Sequence, residues 1–206
     1  MTTVGRWNPN KVRERVLNGT WVSAEELGGM VLLTPTSIAY TGTSATVGTN
    51  GSVDFTACTS ISLNGVFSAN YDNYMIAMRY ASSQSSGTLY YRLRDAGTDE
   101  STTSSYVSQY VFADSGSVSG LRQSQNFGLI GGVTTTNRDG NVMYLFGPYL
   151  VQPTASRSIT AHAYLSATIY DNAVTHNVSD SYDGITLFPN LGNITGLVSV
   201  YGLVGA

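Results

Sequence analysis

The chain has 206 residues, a formal net charge of −3 and only 11% charged residues. That length is enough for one sizeable core with an appendage, and the slightly acidic balance argues against a broadly basic nucleic-acid binder. No apolar run approaches the roughly 18 residues of a membrane span, and Cys58 alone supports neither a disulfide framework nor a cysteine-based metal site.

Residues 1–30 differ in composition from the rest. Arg6, Lys11, Arg13 and Arg15 crowd the start against Glu14 alone, and Lys11 is the only lysine of the chain. The N-terminus lacks the apolar core of a signal peptide, so synthesis in a cytoplasm, without secretion by that route, is the expectation. Asn8 as a cap, Pro9 at the first position and Gly19 near the end predict a short helix around residues 10–17. Two turns are not stable alone. Bracketed by Trp7 and Trp21, this basic segment either packs on its own domain or acts as an arm docked on a partner.

From residue 31 to 206 the pattern is short strands and turn punctuation. Residues 46–55, with Asn50-Gly51 at their centre, read as strand, turn, strand. Tyr74, Ile76, Met78 and Tyr80 alternate with smaller or polar neighbours, and Leu89, Tyr91 and Leu93 alternate with Tyr90, Arg92 and Arg94. Val142, Tyr144 and Phe146 form a further alternating segment. Ile159 and Ala161 alternate with Thr160 and His162, which puts His162 on the outward face. His176 falls in a polar stretch read as a loop. Residues 185–188 and 194–203, separated by Pro189-Asn190-Leu191-Gly192-Asn193, read as a closing hairpin. The expected fold is all-β, a jelly-roll-like antiparallel β-sandwich behind a short, partly helical N-terminal arm. Both faces of the last strand carry apolar groups, so Leu197, Tyr201 and Leu203 are candidates for an oligomer interface.

Catalytic chemistry is sparsely supplied. The two histidines have no zinc-site spacing, and Cys58 reads as a small core residue. Asp95, Asp99 and Glu100 lie too close together in one turn to face each other across a sugar cleft, and they lack the order of a calcium loop. The expectation is no enzyme, no cofactor and no metal. Recognition is better supplied: Tyr106, Tyr110, Phe112, Arg122 and Phe127 lie among Ser, Gly and Gln, a composition that suits binding loops, and Tyr106, Tyr110, Arg122 and Phe127 are the contact candidates. The same residues equally suit packing within the sandwich or at a subunit interface.

Three patches resemble small tailed-bacteriophage virion proteins of the minor tail or tail-fibre type. They are Phe67-Ser68-Ala69-Asn70-Tyr71-Asp72-Asn73-Tyr74, Tyr91-Arg92-Leu93-Arg94 with Gly97-Thr98-Asp99, and Tyr182-Asp183-Gly184-Ile185-Thr186-Leu187-Phe188-Pro189 continuing through Gly196 to Val200-Tyr201-Gly202. The resemblance implies a homo-oligomeric, trimeric β-sandwich head in a phage particle, joined to other virion proteins, and brings no catalytic residues. The expectation is a virion protein docked through Trp7, Lys11, Arg13, Arg15 and Trp21, whose head contacts a host-surface glycan or protein. The alternative is a capsid-decoration, head-fibre or tail-connecting protein with a purely structural role.

Overall fold

The structure, a computed structural model, describes residues 29–114, 116–135, 138–162 and 168–205. The predicted helix and the arm residues Trp7, Lys11, Arg13, Arg15 and Trp21 lie outside the described residues. All regular structure among the described residues is β. In chain order the strands are β1 (Gly29–Leu33), β2 (Ser37–Thr41), β3 (Ser44–Val47), β4 (Val53–Cys58), β5 (Ser60–Asn64), β6 (Asn73–Ser82), β7 (Gly87–Asp95) and β8 (Thr98–Asp99). They continue with β9 (Tyr106–Asp114), β10 (Ser117–Gln125), β11 (Gly128–Val133), β12 (Asp139–Phe146), β13 (Gln152–His162), β14 (Thr168–Asp180), β15 (Gly184–Pro189) and β16 (Ile194–Val204).

Two antiparallel sheets face each other in a sandwich. The larger has ten strands in the order β10-β9-β14-β13-β12-β6-β16-β4-β3, with β1 beside the far half of β16. The smaller has six, in the order β11-β7-β15-β5-β2, with β8 on the end of β7. β3 and β4 form the expected hairpin, and Ser52 N donates to Asn50 Oδ1 at 3.1 Å within its turn. The alternation read from β6 and β7 also holds. Tyr74, Ile76 and Tyr80 from the large sheet meet Leu89, Tyr91 and Leu93 from the small one in a single apolar core. Each such side chain stabilises the fold by about 1.5–3 kcal/mol on burial.

The closing segments do not form a hairpin. β15 pairs with β5 and β7 in the small sheet, whereas β16 pairs with β6, β4 and β1 in the large one. The turn around Gly192 therefore carries the chain from one layer to the other. Val198 and Val200 enter the core, and Leu197, Tyr201 and Leu203 occupy the opposite, half-buried face of β16.

β13 is inverted relative to the sequence reading, and β14 is a strand that includes residues read as a polar loop. Val142, Tyr144, Phe146, Ile159 and Ile169 point away from the small sheet and are exposed, while Ser156, Ser158, Thr160, Asn172 and His176 are buried. The cause lies in β11, Gly128-Leu129-Ile130-Gly131-Gly132-Val133. A bulge between Leu129 and Gly131 leaves Ile130 out of the ladder with β7. Its carbonyl accepts from Ser158 Oγ at 2.7 Å, Asn172 Nδ2 at 2.7 Å and Thr160 Oγ1 at 3.3 Å. Cβ atoms at Gly131 and Gly132 would collide with Thr160 and with the His162 ring. β11 thus sits too close to β13 for large apolar groups, and its diverted carbonyl needs donors.

Candidate functional site: an aromatic step between the sheets

The large sheet extends past β11, the edge strand of the small one. β10 is exposed along most of its length, and the core-side face of β9 and β14 emerges into solvent there. Residues opposite one another in an antiparallel ladder share a face. Tyr110 pairs with Leu121 and Asn172, and Phe112 pairs with Ser119 and Tyr170, so Tyr110, Phe112, Tyr170 and Leu121 all lie on this overhang. The Phe112 and Tyr170 ring centroids are 4.9 Å apart, and those of Tyr110 and Tyr170 are 6.3 Å apart. These rings are half-buried, and Leu121 is 51% exposed.

The rise of the step comes from the small sheet. Tyr90 and Phe188 are cross-strand partners on its outer face, and Phe127 precedes β11. The Tyr90 and Phe127 centroids lie 4.2 Å apart, and Phe188 is 5.8 Å from Tyr90. The guanidinium carbon of Arg92 stands 4.9 Å from the Phe188 centroid, and Arg92 Nε donates to the Asn126 carbonyl at 3.1 Å. Burial pushes the Tyr90 phenol up, a donor hydrogen bond at Thr88 opposes it, and the Tyr110 hydroxyl is near enough to add to the rise. The Tyr90 phenol therefore keeps its proton near neutral pH and acts as both donor and acceptor.

Beside this step Arg94 is almost wholly buried. It pairs with Asp99 and donates to Gly97 O, to Asn64 Oδ1 at 3.0 Å and to Thr186 Oγ1 at 2.6 Å. Thr186 Oγ1 in turn donates to Asp99 Oδ1 at 2.6 Å. The Asp95–Glu100 turn is thereby tied to the sheet through Asp99, and Glu100 Oε1 accepts from Thr102 N at 2.7 Å.

The four residues singled out as contact candidates do not form one site. Tyr110 and Phe127 belong to the floor and rise of the step. Arg122 pairs with Gln109 and projects from the opposite face of the large sheet. Tyr106 is fully buried: its hydroxyl accepts from Leu93 N at 2.9 Å and donates to Glu100 O at 3.2 Å, and its ring lies 4.3 Å from His176. It is a core residue and offers no surface to a partner. Sequence reading missed Tyr90, Arg92, Tyr170 and Phe188. The outward parity of Tyr90 and Arg92 on β7 was the available signal.

Both histidines are corrected as well. His162 is 5% exposed and holds Asp139 Oδ1 at 2.9 Å through Nδ1, while Asp139 Oδ2 accepts from Thr134 N at 3.0 Å. His176 lies within β14, 1% exposed, with neither ring nitrogen hydrogen-bonded. Cys58 is buried and donates to Ser44 O and Thr56 O; burial pushes its thiol up, which keeps it protonated. Among the described residues no group of three or more His, Cys, Asp or Glu could hold a metal ion.

What the step can do follows from its surface. Half-exposed aromatic rings offer flat contact area at low conformational cost, and Arg92 with the phenols offers directed hydrogen bonds. That combination suits a ligand with alternating apolar faces and hydroxyl groups.

No family model matches the chain, and no curated protein matches it. Among solved structures, domain 4 of AbnA, an extracellular GH43 arabinanase from Geobacillus stearothermophilus, in complex with arabinotriose, is 12% identical, with 90% of this chain and 85% of that one covered and a TM-score of 0.31. The binding domain of botulinum neurotoxin serotype G is 8% identical, with coverage of 86% and 44% and a TM-score of 0.16.

Proposed function

We propose that the chain is a non-enzymatic virion protein of a tailed bacteriophage, of the minor tail or tail-fibre type. On this reading residues 1–30 dock it on the particle as an oligomer, and a jelly-roll-like head presents the aromatic step to carbohydrate on the host surface. The observation that carries it is the step itself: six rings and Arg92 in and around a solvent-open corner, where the fold alone would call for polar surface. The three phage-like sequence patches add support, because they meet in space. Phe67 N donates to Asp183 O at 3.0 Å, and Asp183 N donates to Arg94 O at 2.9 Å.

A second reading, a decoration or tail-connecting protein with a purely structural role, draws on the apolar outer face of β12, β13 and β14.

Binding of the purified protein to host cells and to an array of cell-envelope glycans tests the first reading. Wild type binds, and Phe127→Ala with Tyr110→Ala loses most of the signal while keeping its circular dichroism spectrum. Binding that survives both substitutions, or no binding by wild type, overturns the glycan role of the step.

A further inference from the structure

The outer face of the large sheet is more apolar than the part of its inner face beneath β11. On that outer face Val142, Tyr144, Phe146, Ile159, Ile169 and Val111 sit on neighbouring strands. Ile159 is 48% exposed and Ile169 58%. The bulge at Ile130 explains why the inner side is polar. It does not explain why the outer side is apolar, since Thr or Lys would fill those positions at no cost to the core.

From these residues we infer that a second copy of this chain covers this face, packed sheet against sheet about a two-fold axis. The inference gives the oligomer of the proposal above a two-fold form in place of the trimer that the resemblance implies, and it does not depend on the phage reading. Three features select the second copy as occupant. The six strands from β9 to β16, each contributing about eight residues, present roughly 29 Å by 27 Å, or about 800 Å². That is about what each partner of a stable complex buries. The face is also close to electrically neutral at its centre. Arg157 Nε and Nη2 hold Asp171 Oδ1 and Oδ2 at 3.1 and 2.6 Å, so nothing there selects an oppositely charged partner. The same pair is self-complementary: across a two-fold axis each Arg157 can meet either its own Asp171 or that of the other copy. Finally, the face runs on into Tyr201 and Leu203 of β16, whose half-buried outer side continues the apolar surface. Two twisted sheets stack at about 10 Å with their strands offset by about 30°.

Sedimentation equilibrium of the full chain tests this. Wild type sediments as a dimer, and the Ile159→Lys, Phe146→Lys double variant sediments as a monomer, with association weakened at least about 100-fold, as expected when charge enters the centre of an interface. Val118→Lys, at the β10 margin, leaves the dimer unchanged. Ligand binding at the step persists in the monomeric variant, which separates this inference from the function proposed above. Should the double variant not fold, hydroxyl-radical footprinting of wild type gives the same answer, because Tyr144 and Phe146 become protected as concentration rises. A wild-type monomer at about 100 µM overturns the inference. So does a trimer, a dimer that survives the double substitution with its fold intact, or protection of Tyr144 and Phe146 in the monomer, which would assign the face to residues 1–28.

Discussion

The ring of Tyr71 packs directly on the backbone of Gly202. A Cβ at Gly202 would come within 2.5 Å of that ring. Tyr71 belongs to a loop held by Tyr74, whose hydroxyl donates to Ser68 O and Tyr71 O and accepts from Ser68 N. Two separated sequence patches thus share one contact, which gives a physical reason for finding them together in one chain.

Gly202→Ala should therefore displace a core ring, at a cost of about 1–3 kcal/mol. Tyr71→Ala in the same background should restore part of that loss. Denaturant melts of the two single variants and the double variant measure the coupling, and strict additivity would deny the contact its role.

Asn172 is the strongest test of the polar layer beneath β11. Its Nδ2 supplies one of the donors to the Ile130 carbonyl at the bulge. Asn172→Ala should cost about 2–3 kcal/mol, because the carbonyl stays buried with fewer partners and a cavity opens. Thermal unfolding checks this, and a loss below half a kcal/mol would mean that Ser158 and Thr160 suffice.

Acid should weaken the fold through His176. Burial among Tyr106, Tyr182 and Thr154 lowers its pKa from 6.5, only partly offset by Glu100. Below about pH 6.5 the unfolded chain takes up a proton that the folded chain refuses, so stability falls as pH drops through that value. His176→Phe should flatten the slope of stability between pH 7 and 5 relative to wild type. Parallel urea melts decide it.

Alkali should weaken it by the opposite route. Burial pushes the phenols of Tyr80, Tyr91 and Tyr106 well above their usual value of 10. Above about pH 10 the unfolded chain releases protons that the folded chain retains, so stability declines as pH rises. Tyrosinate absorbance should accordingly appear in two stages, exposed phenols first and the buried ones only with unfolding.

The strands with an apolar inner face could be read from the chain, because Tyr74, Ile76 and Tyr80, or Leu89, Tyr91 and Leu93, carry their burial in a two-residue period. β13 and β14 could not be read in that way. There the interior demands donors for the Ile130 carbonyl, so Ser158, Thr160 and Asn172 face inward and the familiar correlation between apolar and buried reverses. The cue was three glycines in the six residues of β11, which announce a close backbone approach. Only half of the step was legible. Tyr110, Phe112 and Phe127 stood out by composition, but which face Arg122 occupies depends on the register of β10 against β9, which no single segment encodes.

β16 lies between β6 on one side and β4 with β1 on the other, and Gly29 pairs with Val204 from nearly the opposite end of the described chain. During synthesis β1, β4 and β6 therefore wait without a common neighbour until β16 leaves the ribosome, and closure of the large sheet is a late, non-local event. Folding should be slow for a domain of this size. The waiting edge of β6, rich in Tyr, Met and Ile, is the surface through which nascent copies would pair wrongly.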